Sequence, residues 1–387
     1  MIVDIVFYVL YVSMAVFMIA MGIFMLVVIC RKKKSSICEK PTDAVSVIMV
    51  ARNNIVELRN IIPALIAQDH PRYEVIVVDD RSSDGTAHFL STVQKNYSSL
   101  IKTVYVREDT PYPWPGRKFS ISMGVKAASY ERIVIVDVND RPSSNVWLSS
   151  LMKGGENKNY IIGLCKTRMI NGVGAWWDML VGYSGRLWAI TCAVIGRPFA
   201  AQSSNFSFLK SDFLSGGAYM NNMRVPSGEA SFLLQDKREA SVCVVMDSES
   251  MMERAENASM KELWKKSVRR VAMWRISSSW YRMAVIINPA VRLVFMMVAL
   301  LGVTMMYDKW YVWLMLLMPM MIMSVIYYFT SRLLHINPLV AISPVTDVIL
   351  LPVYILMRMA RSPLVYVLCV LEGLHRFTFN LVITNLL

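Results

Sequence analysis

Two apolar, β-branched runs end in acids. One is Tyr73-Glu-Val-Ile-Val-Val-Asp-Asp80; the other is Arg132-Ile-Val-Ile-Val-Asp137, followed by Val-Asn-Asp140. A carboxylate at the end of a buried run is costly unless a partner or a ligand meets it. Asp79, Asp80 and Asp137 are therefore the first candidates for chemistry, with turn formation as the plain alternative for Asp79 and Asp80. Other chemistries lack their residues. His70, His88, His335 and His375 show no metal-ligand spacing, and the six cysteines are scattered without a short-spaced pair. That pattern fits neither a disulfide scaffold nor a cysteine zinc site. No phosphate-binding glycine loop, dinucleotide fingerprint or nucleophile elbow is present.

The elements that must position these acids alternate. Val45-Ser-Val-Ile-Met-Val-Ala51 reads as a buried parallel strand, and Ile55 to Gln68 follows as a helix. Tyr73 to Asp80 is a second strand, and a turn at residues 81–86 leads into a helix with Asp84 as its cap. Ile101 to Val106 is a third strand, Lys118 to Ala128 a helix and Arg132 to Asp137 a fourth strand. This order predicts an α/β fold, an open and mostly parallel sheet with right-handed crossovers. Ligands bind such sheets at the carboxyl ends of the strands, where Asp79, Asp80 and Asp137 stand.

The composition places this domain at a membrane. Of 387 residues, 55% are hydrophobic and 18% charged, against about 25% charged in a soluble domain. Val6 to Cys30 is an almost unbroken apolar run, at 1.5 Å per residue long enough for a ~30 Å core. Arg31, Lys32, Lys33 and Lys34 follow it, so the positive-inside bias predicts an uncleaved anchor with its N-terminus outside. Ala284 to Tyr307 and Trp310 to Thr330 predict a hairpin, parted only by Asp308 and Lys309. Arg292 lies inside the first of these runs and is expected to snorkel. Net charge is +13, which suits anionic lipid on the cytoplasmic face. Nucleic acid is not an expected partner, because the basic residues cluster beside apolar segments. Lys261, Lys265, Lys266, Arg269, Arg270 and Arg275 alternate with Leu263, Trp264, Val268, Val271 and Trp274, the pattern of a basic amphipathic interfacial helix. The expected organisation is an anchor over 1–34, a cytoplasmic domain over 35–258, the interfacial helix over 259–283, the hairpin over 284–331 and a tail over 332–387. The tail carries Asp347, Pro344 and Pro352, so interfacial or re-entrant helices are expected there, with a further span over 340–357 as the alternative.

The motifs together resemble a family 2 glycosyltransferase of the GT-A fold. The resemblance runs from about residue 44 to 275. It rests on the first two strands, with Gln68-Asp-His-Pro-Arg-Tyr73 and Arg81-Ser-Ser-Asp-Gly-Thr86 around the second. Gly116-Arg-Lys-Phe-Ser-Ile-Ser-Met-Gly-Val-Lys-Ala-Ala128, Asp137-Val-Asn-Asp-Arg-Pro142, Ser204-Asn-Phe-Ser-Phe-Leu209 and Ser227-Gly-Glu-Ala-Ser-Phe-Leu-Leu234 continue it in family order. The resemblance implies inverting transfer of a sugar from a nucleotide-sugar donor to a lipid-linked or membrane-proximal acceptor, as in cell-envelope polysaccharide or glycolipid synthesis. It implies Ala51, Arg52, Asp79 and Asp80 at the nucleoside, Lys118 and Arg270 at the diphosphate and Asn205 on the acceptor side. It also implies Asp137 and Asn139 at Mg²⁺ or Mn²⁺, and Glu229 as the acid nearest the acceptor hydroxyl.

Three motifs depart from the family pattern. Asn139 stands where a second acid is expected and brings no negative charge, so a weakened metal site is expected. Counting back from Leu233, Ala230 stands at the general base, leaving Glu229 one residue away. Ser267 and Val271 stand where a glutamine and an aromatic ring are expected. Without the ring there is no stacking platform for a growing polymer, so non-processive transfer is expected. The three departures together also fit a different kind of protein, a catalytically impaired scaffold that stabilises a partner transferase.

Overall fold

The computed structural model describes residues 2–34, 43–107, 117–155, 158–217, 219, 222–223, 225–234, 242–305 and 310–347. Gly116, the Asp308–Lys309 turn and the tail from residue 348, all assigned above, lie outside them.

Four parallel strands form as the hydrophobic pattern predicts: β1 (Val45–Ala51), β2 (Tyr73–Asp79), β3 (Ile101–Tyr105) and β4 (Arg132–Asp137). The helices between them are α2 (Ile55–Ile66), α3 (Thr86–Asn96) and α4 (Lys118–Ala127). Alternate residues of β1 serve opposite faces. Val45, Val47, Met49 and Ala51 join the core that holds Leu58 and Leu65 of α2, while Ile48 and Val50 join the one that holds Ile121 and Val125 of α4. This period of two is what a sheet covered on both sides requires. Helix α4 presses close to the sheet. A Cβ on Gly124 would lie 2.7 Å from Ile48 Cγ2, so glycine permits the approach.

The sheet continues past β4 with β8 (Phe206–Leu209), β6 (Tyr160–Gly163) and β9 (Val242–Val245), in the order β3-β2-β1-β4-β8-β6-β9. β8 runs antiparallel to both β4 and β6, so the sheet is mostly, not wholly, parallel. A second sheet, unforeseen in the sequence, orders β5 (Asp140–Pro142), β10 (Met252–Asn257) and β7 (Cys165–Asn171). Helix α5 (Trp147–Gly154) packs Trp147, Leu148, Leu151 and Met152 under the sheet.

The remaining helices are α6 (Val173–Val194), α7 (Lys210–Gly216), α8 (Glu229–Leu234) and α9 (Met260–Ile276). Three more are apolar: α1 (Ile2–Lys34), α10 (Ser279–Met305) and α11 (Trp310–Leu333). Tyr8–Arg31 and Ser279–Gly302 are 24 residues each, with mean hydropathy 2.8 and 2.2, long and apolar enough to cross a bilayer. α1 packs on α10, α11 and α6. One continuous core therefore runs from Ile48 in the sheet, through Tyr183 on α6, to Met25, Phe295 and Met323 on the apolar helices. α9 opens with a capping box, Ser259 and Glu262 each accepting the other's backbone N–H. Lys261, Lys265, Arg269 and Arg275 are exposed along it, whereas Leu263, Ser267 and Met273 are buried.

Candidate active site

Strand register builds the edge on which the site lies. Ala51 pairs with Asp79, and Val50 with Asp137, so the two acids stand in adjacent rows at the carboxyl end of the sheet. The Asp80 backbone N–H donates to the Ala51 carbonyl at 2.8 Å and closes the crevice between β1 and β2. Asp79 accepts from the Ser82 backbone N–H at 3.2 Å, and Asp80 accepts from Arg81 Nε at 2.9 Å. Both acids are buried, and Arg52 beside them is exposed. Asn53 and Arg81 hold φ of 54° and 57°, and their loops interlock, Asn53 Oδ1 accepting from the Ser83 backbone N–H at 2.8 Å. Asp84, expected as the cap of α3, stands one residue before the actual cap, Gly85, and accepts from Thr86 N at 3.1 Å and from Ile55 N at 3.2 Å. One carboxylate thus ties the starts of α2 and α3, the rim of the nucleoside crevice that the family resemblance implies.

Asp137 accepts from Arg117 Nη1 at 2.7 Å through Oδ2. Its Oδ1 accepts from the Asn139 backbone N–H at 3.1 Å and from Asn139 Nδ2 at 2.9 Å. Burial alone would raise this carboxyl. Arg117, then the Asn139 backbone, Arg254 and the Asn139 amide, outweigh that and hold it down at about 2. Asp140 is already satisfied, as Arg254 reaches it with Nε at 2.6 Å and Nη2 at 2.7 Å while the Asp140 side chain is 0% exposed. Arg254 sits on β10, so the second sheet exists in part to neutralise Asp140.

Glu229 opens α8, after Gly228 has turned the chain at φ 84°. Its Oε2 accepts from Ser203 Oγ at 2.7 Å, and its carbonyl accepts from the Tyr219 hydroxyl at 3.0 Å. Ala230 packs in the core with Leu233 and Leu234. Burial opposes the Arg117 charge, but Asp137 and then Glu229 outweigh it and hold the charge up, so one guanidinium stands in the field of both acids.

Several expected ligand residues have internal partners. Lys118 Nζ donates to the carbonyls of Asn222 and Val225, both at 2.8 Å, and lies 4.4 Å from the Phe232 ring centroid. Burial lowers it to about 8, with Glu229 opposing the shift. Asn205 is fully buried at φ 58°; it accepts from Trp147 Nε1 at 3.0 Å and donates to the carbonyls of Leu164 and Ser250 at 2.8 and 2.9 Å. Arg270 forks onto Asp178 of α6 at 2.9 and 3.2 Å, which holds that buried carboxyl well below its ordinary range. The sequence reading missed Arg117, Arg254 and Ser203. The tandem Arg117-Lys118 at a helix start was the visible signal; Lys118 was expected at the diphosphate, and Arg117 is the member that reaches Asp137.

A divalent cation in this family position requires several oxygen donors. The residues do not supply them. Asp137 offers one carboxylate with both oxygens engaged, Asn139 turns its N–H groups toward it, and Asp140 is held by Arg254. Among the described residues, no cluster of three or more His, Cys, Asp or Glu could hold a metal.

Comparison with known proteins agrees with the fold. Residues 46–217 match Glycosyl transferase family 2, a segment that includes Asp79, Asp137 and Asn205 and ends before Glu229. The poly-beta-1,6-N-acetyl-D-glucosamine synthase of Staphylococcus epidermidis is 23% identical over 97 residues, 25% of this chain. The chain spans only 22% of that relative's length. Among solved structures, the mannosyltransferase PcManGT from Pyrobaculum calidifontis, in complex with GDP-Man and Mn²⁺, superposes with a TM-score of 0.53 at 13% identity, covering 88% of this chain and 98% of that one. S. aureus TarS 1-349 gives a TM-score of 0.42 at 13% identity, covering 81% of this chain and 90% of that one. The chain therefore carries a family 2 glycosyltransferase domain of the GT-A fold, over residues 46–217.

Proposed function

We propose that the protein is a membrane-bound, inverting glycosyltransferase. It moves a sugar from a nucleotide-sugar donor to a hydroxyl of a lipid-linked or membrane-proximal acceptor. The observation that carries this reading is the Arg117–Asp137 pair at the strand end beside the Asp79–Asp80 crevice, with the Glu229 charge acting on the same guanidinium. The nucleoside lies over Ala51, Arg52, Asp79 and Asp80, and the diphosphate follows the strand ends toward Asp137. Glu229, held by Ser203, takes the proton as the acceptor oxygen attacks the anomeric carbon. The bond from that carbon to the diphosphate breaks on the opposite side, so configuration inverts and the nucleoside diphosphate leaves.

Membrane association is part of the proposal. It is supported by the apolar lengths of α1 and α10, their shared core with the domain and the basic exposed row on α9. The domain lies on the cytoplasmic side with α1 entering from outside, and α9 rests on anionic headgroups. Val271 is half-buried on α9 and offers no ring for an extended chain, which suits single transfers.

The test is label transfer from UDP- and GDP-sugars in membranes containing the full chain. Glu229→Gln keeps the hydrogen bond from Ser203 and removes the base, so transfer falls about 100-fold or more while nucleotide binding persists. Unchanged transfer in the variant removes Glu229 from this role. A second reading has its own support. Lys118 and Arg270, both expected on the diphosphate, are spent on internal partners, as in a scaffold that stabilises a partner transferase. Activity that appears only on co-expression with a partner, and survives Glu229→Gln, favours it.

A further inference from the structure

The place that the family gives to a metal ion is occupied here by a side chain. We propose that Arg117 is the resident cation of the donor site, binding the diphosphate without a divalent metal, and that Asp137 serves to hold it. The inference rests on the reading of the protein as a nucleotide-sugar transferase.

Arg117 stands immediately before α4 and reaches across the strand end to Asp137 Oδ2 at 2.7 Å. That contact uses Nη1, one N–H-bearing nitrogen of a forked guanidinium with five N–H donors. The side chains of Arg117 and Asp137 are 31% and 19% exposed, so the pair is open to an incoming ligand; Asp140, 0% exposed under Arg254, is closed. A guanidinium presents its donors in a plane that matches phosphate oxygens two at a time. A lysine could not do this from the same place, and Lys118 is turned to the Asn222 and Val225 carbonyls.

The same geometry explains Asn139. Where a metal is held, the motif's second residue must aim an oxygen at it. Here both N–H groups of Asn139 aim at Asp137 Oδ1 and fix the carboxylate, while Arg117 takes the other oxygen. An acid at 139 would repel Asp137 with no cation between them. Asn139 thus becomes the residue that a guanidinium-filled site needs. The pair is formally neutral, so it offers directed donors to the diphosphate, and the Glu229 charge acts on the same guanidinium.

The experiment is titration of UDP and GDP into the detergent-purified full chain, in EDTA and in Mn²⁺, with Arg117→Ala and Asp137→Ala alongside. Thermal melting of each variant reports folding. The expected result is wild-type affinity equal in EDTA and Mn²⁺ to within about twofold, and ~10–100-fold weaker in Arg117→Ala, the range for a charged hydrogen-bond donor. In that variant Asp137 is released, so Mn²⁺ should restore part of the binding, which a merely structural arginine would not produce. Binding that requires Mn²⁺ in the wild type and is lost in Asp137→Ala overturns the inference and leaves the transferase reading standing. Binding indifferent to both EDTA and Arg117→Ala also overturns it. If the folded wild type binds neither nucleotide under either condition, the transferase reading fails and the inference fails with it. The wild-type EDTA comparison decides even if Arg117→Ala does not fold.

Discussion

Arg117 and Lys118 show how far neighbours can diverge. Successive residues at a helix start point about 100° apart, so one meets the strand end and the other the segment leading into α8. Their order cannot be read from the sequence, because either cation suits a position beside a diphosphate. Ala230 poses the same difficulty. Counting back from Leu233 assigns a role by position, whereas the helix begun at Glu229 sends that residue to Ser203 and Ala230 into the core. Lys118 carries a pH prediction. Burial lowers it from 10.5 to about 8, so the unfolded chain binds more protons between those values and the residue's contribution to stability rises with pH there. Below about 8 the full cost of charging it in place is present. Neutral lysine still has two N–H groups for the Asn222 and Val225 carbonyls. Lys118→Met should therefore destabilise more at pH 9.5 than at pH 7, by roughly 1–2 kcal/mol of the ~3 that such a shift carries. Melting temperatures of both proteins at the two pH values test this; a gap that stays constant or narrows refutes it.

Elements divide by how strongly their pattern speaks. β1 and β4 appear within the residues read from their β-branched runs, and α4 differs by one residue. Those strands are covered on both faces, which leaves an unbroken apolar signature. α2 stops at Ile66, with Pro63 inside it and Ala67 closing the end, two residues short of the predicted Gln68. The second sheet had no such signature. β5 is three residues, and β10 and β7 read MERAEN and CKTRMIN, with charges along both. They pair because Arg254 finds Asp140, a contact between residues 114 apart in the chain. Asn205 is the element-scale surprise. Expected toward the acceptor, it instead joins the two sheets through α5, β8 and the loops around Leu164 and Ser250. Its φ of 58° suits asparagine better than most residues. Asn205→Ala should cost about 3–6 kcal/mol, because three buried partners lose their bonds at ~1–3 kcal/mol each. Denaturation would show this; a loss under about 1 kcal/mol would return Asn205 to the ligand-binding residues.

At the scale of the whole molecule, the question is what fastens the sheet domain to its apolar helices. Apolar packing does part of it, with Tyr11 on α1 lying 5.7 Å from the Phe295 ring of α10 and Trp188 Nε1 of α6 bonded to the Ala284 carbonyl at 3.0 Å. The specific fastener is Arg292. The sequence suggested a snorkelling arginine and, in Asp347, a charge that made the tail doubtful as a span. The structure corrects the first and explains the second. Arg292 and Asp347 are 5% and 1% exposed and form an ion pair, and Arg292 also donates to Ser184 of α6. Three parts of the chain meet there: α10, the domain helix α6 and the segment that follows α11. Neither residue is legible as half of a pair, since 55 positions part them and each alone reads as a misplaced charge. An ion pair away from water adds little against an apolar pair of like volume, yet removing one partner strands the other. Asp347→Leu should therefore destabilise the detergent-purified protein by about 3–5 kcal/mol and loosen the domain from its helices. Arg292→Met combined with Asp347→Leu should recover most of that loss. The distinguishing quantity is the coupling between the two substitutions in thermal unfolding. A coupling near zero would mean that the charges are independently solvated and that apolar packing alone holds the domain to its helices. A coupling of several kcal/mol would make this pair the point at which strain in the helices reaches α6, and through Arg270 and Asp178 the basic helix α9.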